Sequence, residues 1–153
     1  MLEALGLYPP VAFHFSVSFG PLPLDLDSSF REVSGIGPEM ETETVAEGGE
    51  NRFVHVLPKA VKHPRLVLKR GISPYGSPLM LWCRAALEGG LVSAIEPKLV
   101  HLFLLNELSL PVRAWSFANA YPVKWEVDGF QATKNEVAVE KIELCYAFSK
   151  REV

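Results

Sequence analysis

The stretch Trp115-Ser-Phe-Ala-Asn-Ala-Tyr-Pro-Val-Lys-Trp-Glu-Val127 holds two of the chain's three tryptophans and a Tyr-Pro step at its centre. Trp115, Phe117 and Asn119 share one phase, and Ala114, Ser116 and Ala118 share the other. That period of two predicts a strand with one bulky face and one small face. Pro122 has no N–H for a ladder and keeps Tyr121 extended, so an interruption is expected at Tyr121-Pro122. Val123, Trp125 and Val127 then resume the alternation against Lys124 and Glu126. The rest of the chain is expected to pair with this ribbon and cover it.

The flanking segments read as its partners. Lys98-Leu-Val-His-Leu-Phe-Leu-Leu105 is apolar in both phases, which predicts a central strand covered on both sides. Asn106 to Pro111 forms the hairpin loop between the two. Asn135-Glu-Val-Ala-Val-Glu-Lys-Ile-Glu-Leu-Cys-Tyr-Ala-Phe148 completes the sheet. Val137 and Val139 sit in one phase, while Ile142, Leu144, Tyr146 and Phe148 sit in the other. The switch near Glu140-Lys141 predicts a β-bulge or a strand that passes from one sheet to another.

The N-terminal half carries more strands. Val11, Phe13, Phe15, Val17 and Phe19 alternate with His14, Ser16 and Ser18, and Gly20-Pro21-Leu-Pro23 follows as a rigid connector. Ser29-Phe-Arg-Glu-Val-Ser34 is a short strand ended by Gly35-Ile-Gly37-Pro38. In Glu39-Met-Glu-Thr-Glu-Thr44 the carboxylates of Glu39, Glu41 and Glu43 share one face, and Met40, Thr42 and Thr44 the other. Such a face needs water or a basic partner. Glu47-Gly48-Gly49-Glu50-Asn51 is a loop, Arg52 to Leu57 a strand, and Pro58 to Pro64 a basic connector carrying Lys59, Lys62 and His63. Arg65 to Arg70 is a further strand. Ser77-Pro78 is a helix start, with the serine as N-cap and the proline in the first turn. Leu79, Trp82, Cys83, Ala86 and Leu87 follow at helical spacing, and Gly89-Gly90 ends the helix. The expectation is a mainly β fold, a two-sheet sandwich or barrel-like structure of about seven or eight strands with one flanking α-helix.

Bulk properties exclude several functions. A chain of 153 residues predicts a single domain over 1–153 with its own core and a short N-terminal arm at about 1–10. Fifteen basic against 18 acidic residues give a formal net charge of −3, unlike the basic stripe of a nucleic-acid binder. No apolar run approaches the roughly 20 residues that cross a bilayer. Met1-Leu-Glu-Ala-Leu-Gly6 lacks the n- and h-regions of a signal peptide. The two cysteines, Cys83 and Cys145, have no ligand-spaced companion and read as buried free thiols in a reducing cytoplasm, with a disulfide between them as the alternative.

No residue pattern carries catalytic chemistry, a cofactor or a metal. His14, His55 and His101 are isolated on strands, and His63 lies in the basic connector. Glu140 and Glu143 are spaced by three and fall on opposite faces of a strand, which unmakes an acid–base pair. Gly48-Gly49 is not a phosphate loop, because no Gly-Lys-Ser/Thr follows.

Six pieces, in this order, resemble the tail-tube proteins of contractile phage tails and phage-derived injection systems: Phe30-Arg-Glu-Val-Ser-Gly35, Glu47-Gly-Gly-Glu-Asn51, Leu57-Pro58, Leu66-Val-Leu-Lys-Arg-Gly71, Trp115 to Trp125 and Asn135 to Leu144. The resemblance spans roughly residues 11 to 148. It implies the two-sheet tail-tube fold with its flanking helix. It also implies a non-enzymatic subunit, made in the bacterial cytoplasm, that forms stacked hexameric rings around a lumen. Partners implied are copies of itself, the sheath, baseplate and spike proteins, and cargo in the lumen. A tube-initiator ring that seats the tube on the spike and baseplate is an equally natural family member. Gly48, Gly49, Glu50, Asn51, Arg52, Lys59 and Lys62 then become the ring-stacking loop. Glu39, Glu41 and Glu43 become a lumen wall or a face that meets the next subunit. A small β-barrel enzyme or ligand-binding protein is the reading from another class, and no polar cluster converges on a pocket to favour it.

Overall fold

The computed structural model describes residues 14–20, 25–49, 51–71, 77–90, 94–127 and 138–152. The expected arm at 1–10, together with Val11, Phe13, Glu50 and Val137, lies outside the described residues. Ten strands and one helix follow in order: β1 (His14–Phe19), β2 (Asp25–Phe30), β3 (Glu32–Ser34), β4 (Glu39–Val45), β5 (His55–Lys62), β6 (Leu66–Gly71), α1 (Pro78–Leu87), β7 (Lys98–Leu105), β8 (Pro111–Val127), β9 (Val139–Cys145) and β10 (Phe148–Arg151). Eight of the strands form one curled, antiparallel sheet in the order β2-β1-β7-β8-β9-β6-β3, with β10 on β8, and β4 and β5 form a separate pair.

The curl has a covalent cause. The two ends of the sheet, β2 and β3, are separated in the chain by Arg31 alone, so the expected single strand over 29–34 is one ribbon bent between two pairings. The Arg31 N–H donates to the Lys69 carbonyl at 3.0 Å, which begins the β3–β6 ladder where β2 stops. The sheet is thereby curled into a half-barrel whose end strands β2 and β3 do not pair with each other, and α1 packs against β8 and β2.

The 17-residue β8 is the spine of this sheet, and it is continuous. Its first part pairs with β7 and β10, and its second part with β9. The Tyr-Pro step does not interrupt it. Asn119 instead takes a left-handed φ of 53°, and the register with β7 slips between Val100 and Lys98. A second slip, against β9, lies between Pro122 and Lys124. Bulges let one strand serve two differently twisted partners, which a proline break would not. Phe117 is fully buried and Trp115 packs on the core, but Ala114 and Ser116 in the other phase are buried as well. Asn119, expected beside Phe117, is exposed, so the bulky and small phases do not divide into an inner and an outer face.

Val17, Phe19, Phe30, Leu66, Leu68, Leu79, Val100, Leu102, Phe117, Ile142 and Leu144 are all fully buried and form the core with Trp82 and Cys83. Phe19 stacks on Trp82 with centroids 5.2 Å apart, which ties the curled sheet to the helix. Ser77 is the N-cap: its Oγ accepts from the Met80 N–H at 3.3 Å. Leu79, Trp82 and Cys83 point inwards, whereas Leu87 is exposed. Both cysteines are free thiols. In β7 Val100, Leu102 and Leu104 are buried, whereas on the other face His101 and Phe103 are half-buried and Leu99 is exposed, so among the described residues the expected second cover is only partial.

A charged residue occupies the inner end of β9. Leu66, Leu68 and Arg70 of β6 stand opposite Leu144, Ile142 and Glu140 in unbroken register. No bulge exists at Glu140-Lys141; the apparent change of phase is a carboxylate standing where an apolar side chain would otherwise sit. Glu140 and Arg70 form a buried ion pair, Nε to Oε2 at 2.9 Å, with side chains 2% and 3% exposed. The second carboxylate oxygen accepts from the Trp125 indole N–H at 2.7 Å. Arg70 also donates to Ser77 Oγ at 2.7 Å and lies 4.7 Å above the Phe30 ring. Glu143 faces outwards instead, near Lys124 at 3.6 Å and Arg65 at 3.9 Å.

Removing one member of a buried pair costs about 3–5 kcal/mol, because the other charge is left without compensation. Glu140→Gln is therefore expected to lower Tm steeply, whereas Arg70→Met with Glu140→Leu, measured in the same thermal melts, recovers most of the loss.

Candidate assembly surface

The pieces singled out in the sequence converge on the β4–β5 hairpin. Its residue choice explains its pairing: Thr42, Thr44, Val45, Val56 and Val61 are β-branched and suit a pleated ribbon. Glu39 pairs with Lys62, Met40 with Val61, Thr42 with Pro58, Thr44 with Val56 and Val45 with His55. The expected basic connector at 58–64 is thus mostly strand. Pro58 is tolerated because β5 has one unpaired edge, where a missing N–H costs nothing. A register shift between Met40 and Thr42 takes up the extra residue beside it. Gly48 and Gly49 form the turn, with Gly49 at φ 93°, a conformation open to glycine at no steric cost.

Charge is balanced inside the hairpin. Lys62 Nζ contacts Glu41 Oε1. The hydrogen bond and opposite charge of Glu41 hold the Lys62 ammonium above the usual lysine range. The acidic face over Glu39, Glu41 and Glu43 therefore meets a basic partner within its own chain, which the strand read alone did not reveal. At the turn, His55 Nε2 and Glu47 Oε2 are 3.0 Å apart, and Phe53 meets the His55 ring edge-on at 5.3 Å. Asn51, Arg52 and Lys59 are exposed, and Glu50 lies outside the described residues.

Apolar residues are exposed on the same arm. Met40, Phe53, Val54, Val56, Leu57 and Val61 are all exposed, with Val56 the most open at 60%. Every residue of β5 is exposed, and β4 and β5 pack on each other while standing off the curled sheet. Sequence reading missed this surface because alternation such as Phe53, Val54 and Val56 looks the same whether a subunit or a neighbour covers it.

The base of the arm is fixed. Gly35 has φ 85°, and a Cβ there would lie 1.9 Å from the Arg65 carbonyl oxygen. Tyr146 donates its hydroxyl to the Gly35 carbonyl at 3.3 Å, and burial pushes its phenol above the usual range. His63 lies beside the Tyr146 ring, 5.5 Å between centroids. The entry and exit of the hairpin are thus clamped to the barrel while its blades extend from it.

No group of three or more His, Cys, Asp or Glu side chains suited to a metal occurs among the described residues. No helix of the described residues is long and apolar enough to cross a membrane. Glu140 and Glu143 point to opposite faces of β9 and form no acid–base pair.

A family model for the T4-like virus tail tube protein gp19 matches residues 11–149. The chain belongs to this tail-tube family. Among solved structures, a chain in the anti-feeding prophage baseplate is similar at 33% identity and TM-score 0.78, over 94% of this chain and 95% of that one. A chain of the sheath–tube complex of an extracellular contractile injection system, PVC, has 23% identity and TM-score 0.76, over 99% and 97%. Hcp1 from Flavobacterium johnsoniae shares the fold at 16% identity and TM-score 0.57, over 92% and 95%. Among curated proteins none matches the chain. Tail-tube proteins are structural components of phage tails or tail-like injection particles, and the curled sheet with one helix is the fold these structures share.

Two-stranded hairpins are marginally stable alone in water. Amides of 39–62 in the free subunit should therefore exchange with deuterium well before those of β7 and β8, read by mass spectrometry of the peptides. Gly35→Ala is expected to destabilise the protein, since it adds backbone strain and a clash with Arg65 at the arm's base; a Tm equal to wild type would show that the base relaxes freely.

Proposed function

We propose that the protein is the repeating subunit of the inner tube of a contractile tail or injection particle, six copies closing a ring and rings stacking around a lumen. The observation that carries this reading is the standing hairpin, whose apolar side chains stay exposed among the described residues. Exposed apolar residues gathered on one projecting element mark a partner surface. The partly covered face of β7, with Leu99 exposed and Phe103 half-buried, is a second region that a ring could bury. Sheath, baseplate and spike proteins are the other partners, the lumen holds cargo, and the protein's role is structural, not enzymatic. Synthesis in the bacterial cytoplasm before assembly accords with two free thiols.

One observation favours a neighbouring role. The chain in the anti-feeding prophage baseplate is 33% identical, against 23% for the one in the PVC sheath–tube complex. That difference supports a place in the ring that starts the tube on the baseplate. Mixing the protein with baseplate and spike components separates the two: an initiator stops at one ring, whereas a tube subunit elongates.

In this reading Gly48 to Lys62 reaches a neighbouring ring, with charge setting register and apolar contacts supplying strength. Lys62 already meets Glu41 in its own chain, so Lys59 is the lysine most available for intersubunit contact. Replacing both Lys59 and Lys62 with Glu should leave the Tm of the barrel unchanged and shorten or abolish tubes in electron micrographs. The defect should be greater at low salt, where screening is weakest. Lys59→Glu alone keeps the intrachain pair and isolates the contact between copies. Tubes of normal length at every salt concentration for the double variant would overturn this role of the hairpin.

A further inference from the structure

The chain has a concave apolar feature as well as a projecting one. A groove of about 500 Å³ lies between the outer side of α1 and residues 94–98, lined by Pro78, Leu81, Trp82, Ala85, Ile95 and Lys98. Leu79, Trp82 and Cys83 already bury the inner face of α1, yet Leu81 is 56% exposed and Leu87 is also open. A helix that is apolar on both sides is normally covered on both. Across the groove Ile95 is exposed too. The lining combines the apolar Pro78, Leu81, Trp82, Ala85 and Ile95 with the charged Glu96 and Lys98.

We propose that this groove receives the hairpin tip of a neighbouring copy, with Phe53 as the anchor. The inference rests on the tube-subunit reading and names the surface that the hairpin meets. Phe53 is 53% exposed beside the turn, and Val54 next to it is equally open. Knob and groove lie on different parts of one chain, so joining them makes a heterologous contact, the kind that generates rings and filaments. The charges agree. Lys98 already sits over the Phe19 and Trp82 rings at 5.6 and 5.5 Å. An entering aromatic ring beside it adds one more face for the same cation. Arg52, adjacent to the anchor, is opposite in sign to Glu96 on the groove wall.

The area sets how such a contact behaves. An aromatic side chain buries about 150–250 Å², well below the roughly 800 Å² per partner of a standard interface. One seated tip does not hold two free copies together. Repeated around a closed assembly, the same contact acts at high effective concentration and becomes significant. The free subunit is therefore expected to be monomeric until a template gathers the copies.

The test places a photo-crosslinking benzoylphenylalanine at position 53, assembles the protein with baseplate components, and maps the crosslinks by mass spectrometry. Ala85→Glu, an exposed groove position, and Phe53→Glu are assembled in parallel after confirming wild-type Tm. The expected result is crosslinks between copies, from 53 to peptides spanning 78–98, with either variant raising the concentration needed for assembly about tenfold or more. Crosslinks to another region, to the protein's own N-terminal residues or to a sheath or baseplate protein, with Ala85→Glu assembling like wild type, overturn the docking site while leaving the tube reading intact. If the unmodified protein never assembles with those components, the tube reading falls and the docking site with it.

Discussion

The Arg70–Glu140 pair is the interaction on which the rest of the barrel depends. It lies where β6 and β9 pair, takes the Trp125 indole from β8, reaches Ser77 at the start of α1 and covers the Phe30 ring at the end of β2. Five elements are thereby referred to one polar centre inside an apolar core. A guanidinium near a helix N-terminus opposes the helix dipole, and Glu140 compensates for it. An arrangement of this kind adds little stability over a well-packed apolar core. Its directional bonds instead hold the strands of the curl in one relative setting.

Away from that centre, the surface is divided by chemistry. Outside β6, β8 and β9, lysines and glutamates alternate: Lys69 lies near Glu32, Lys141 near Glu126, and Lys124 near both Glu126 and Glu143. That face is self-compensated and suited to water. The hairpin and the outer side of α1 expose valines, leucines and a phenylalanine instead. A structural subunit needs both kinds of face, one that stays wet and one that seeks its own kind. The clamp at Gly35, Tyr146 and Arg65 lets the hairpin stand away from the barrel without loosening it.

Most of the strands and the helix were legible in the sequence, because period-two alternation and a Ser-Pro start report local geometry directly. Trp115 and Phe117 pack on the core and Ser77 caps the helix, but Ala114 and Ser116 are buried too, because the strand is covered on both faces there. Errors arose where tertiary context overrode a local rule. Pro122 is accommodated in a continuous strand because bulges beside it absorb the mismatch, and Pro58 because it lies on an edge. Glu140 disguised the phase of β9, since no local signal shows that Arg70, far away in sequence, will neutralise it. The hairpin reads in the sequence as two separate features, an acidic strand and a basic loop, which only pairing unites. Its apolar side could not be told from core by alternation alone. The family, in contrast, was carried by the order of short motifs, each of which marks a turn or pairing the fold requires.

The central claim is that the hairpin completes its packing only between copies of this chain in a ring. A cryo-electron microscopy reconstruction of the protein assembled on its baseplate tests it most directly. The account predicts six copies around an open lumen, with Met40, Phe53, Val56 and Val61 covered by other copies. A reconstruction in which these side chains still face solvent, or in which the copies meet through other surfaces alone, would contradict it.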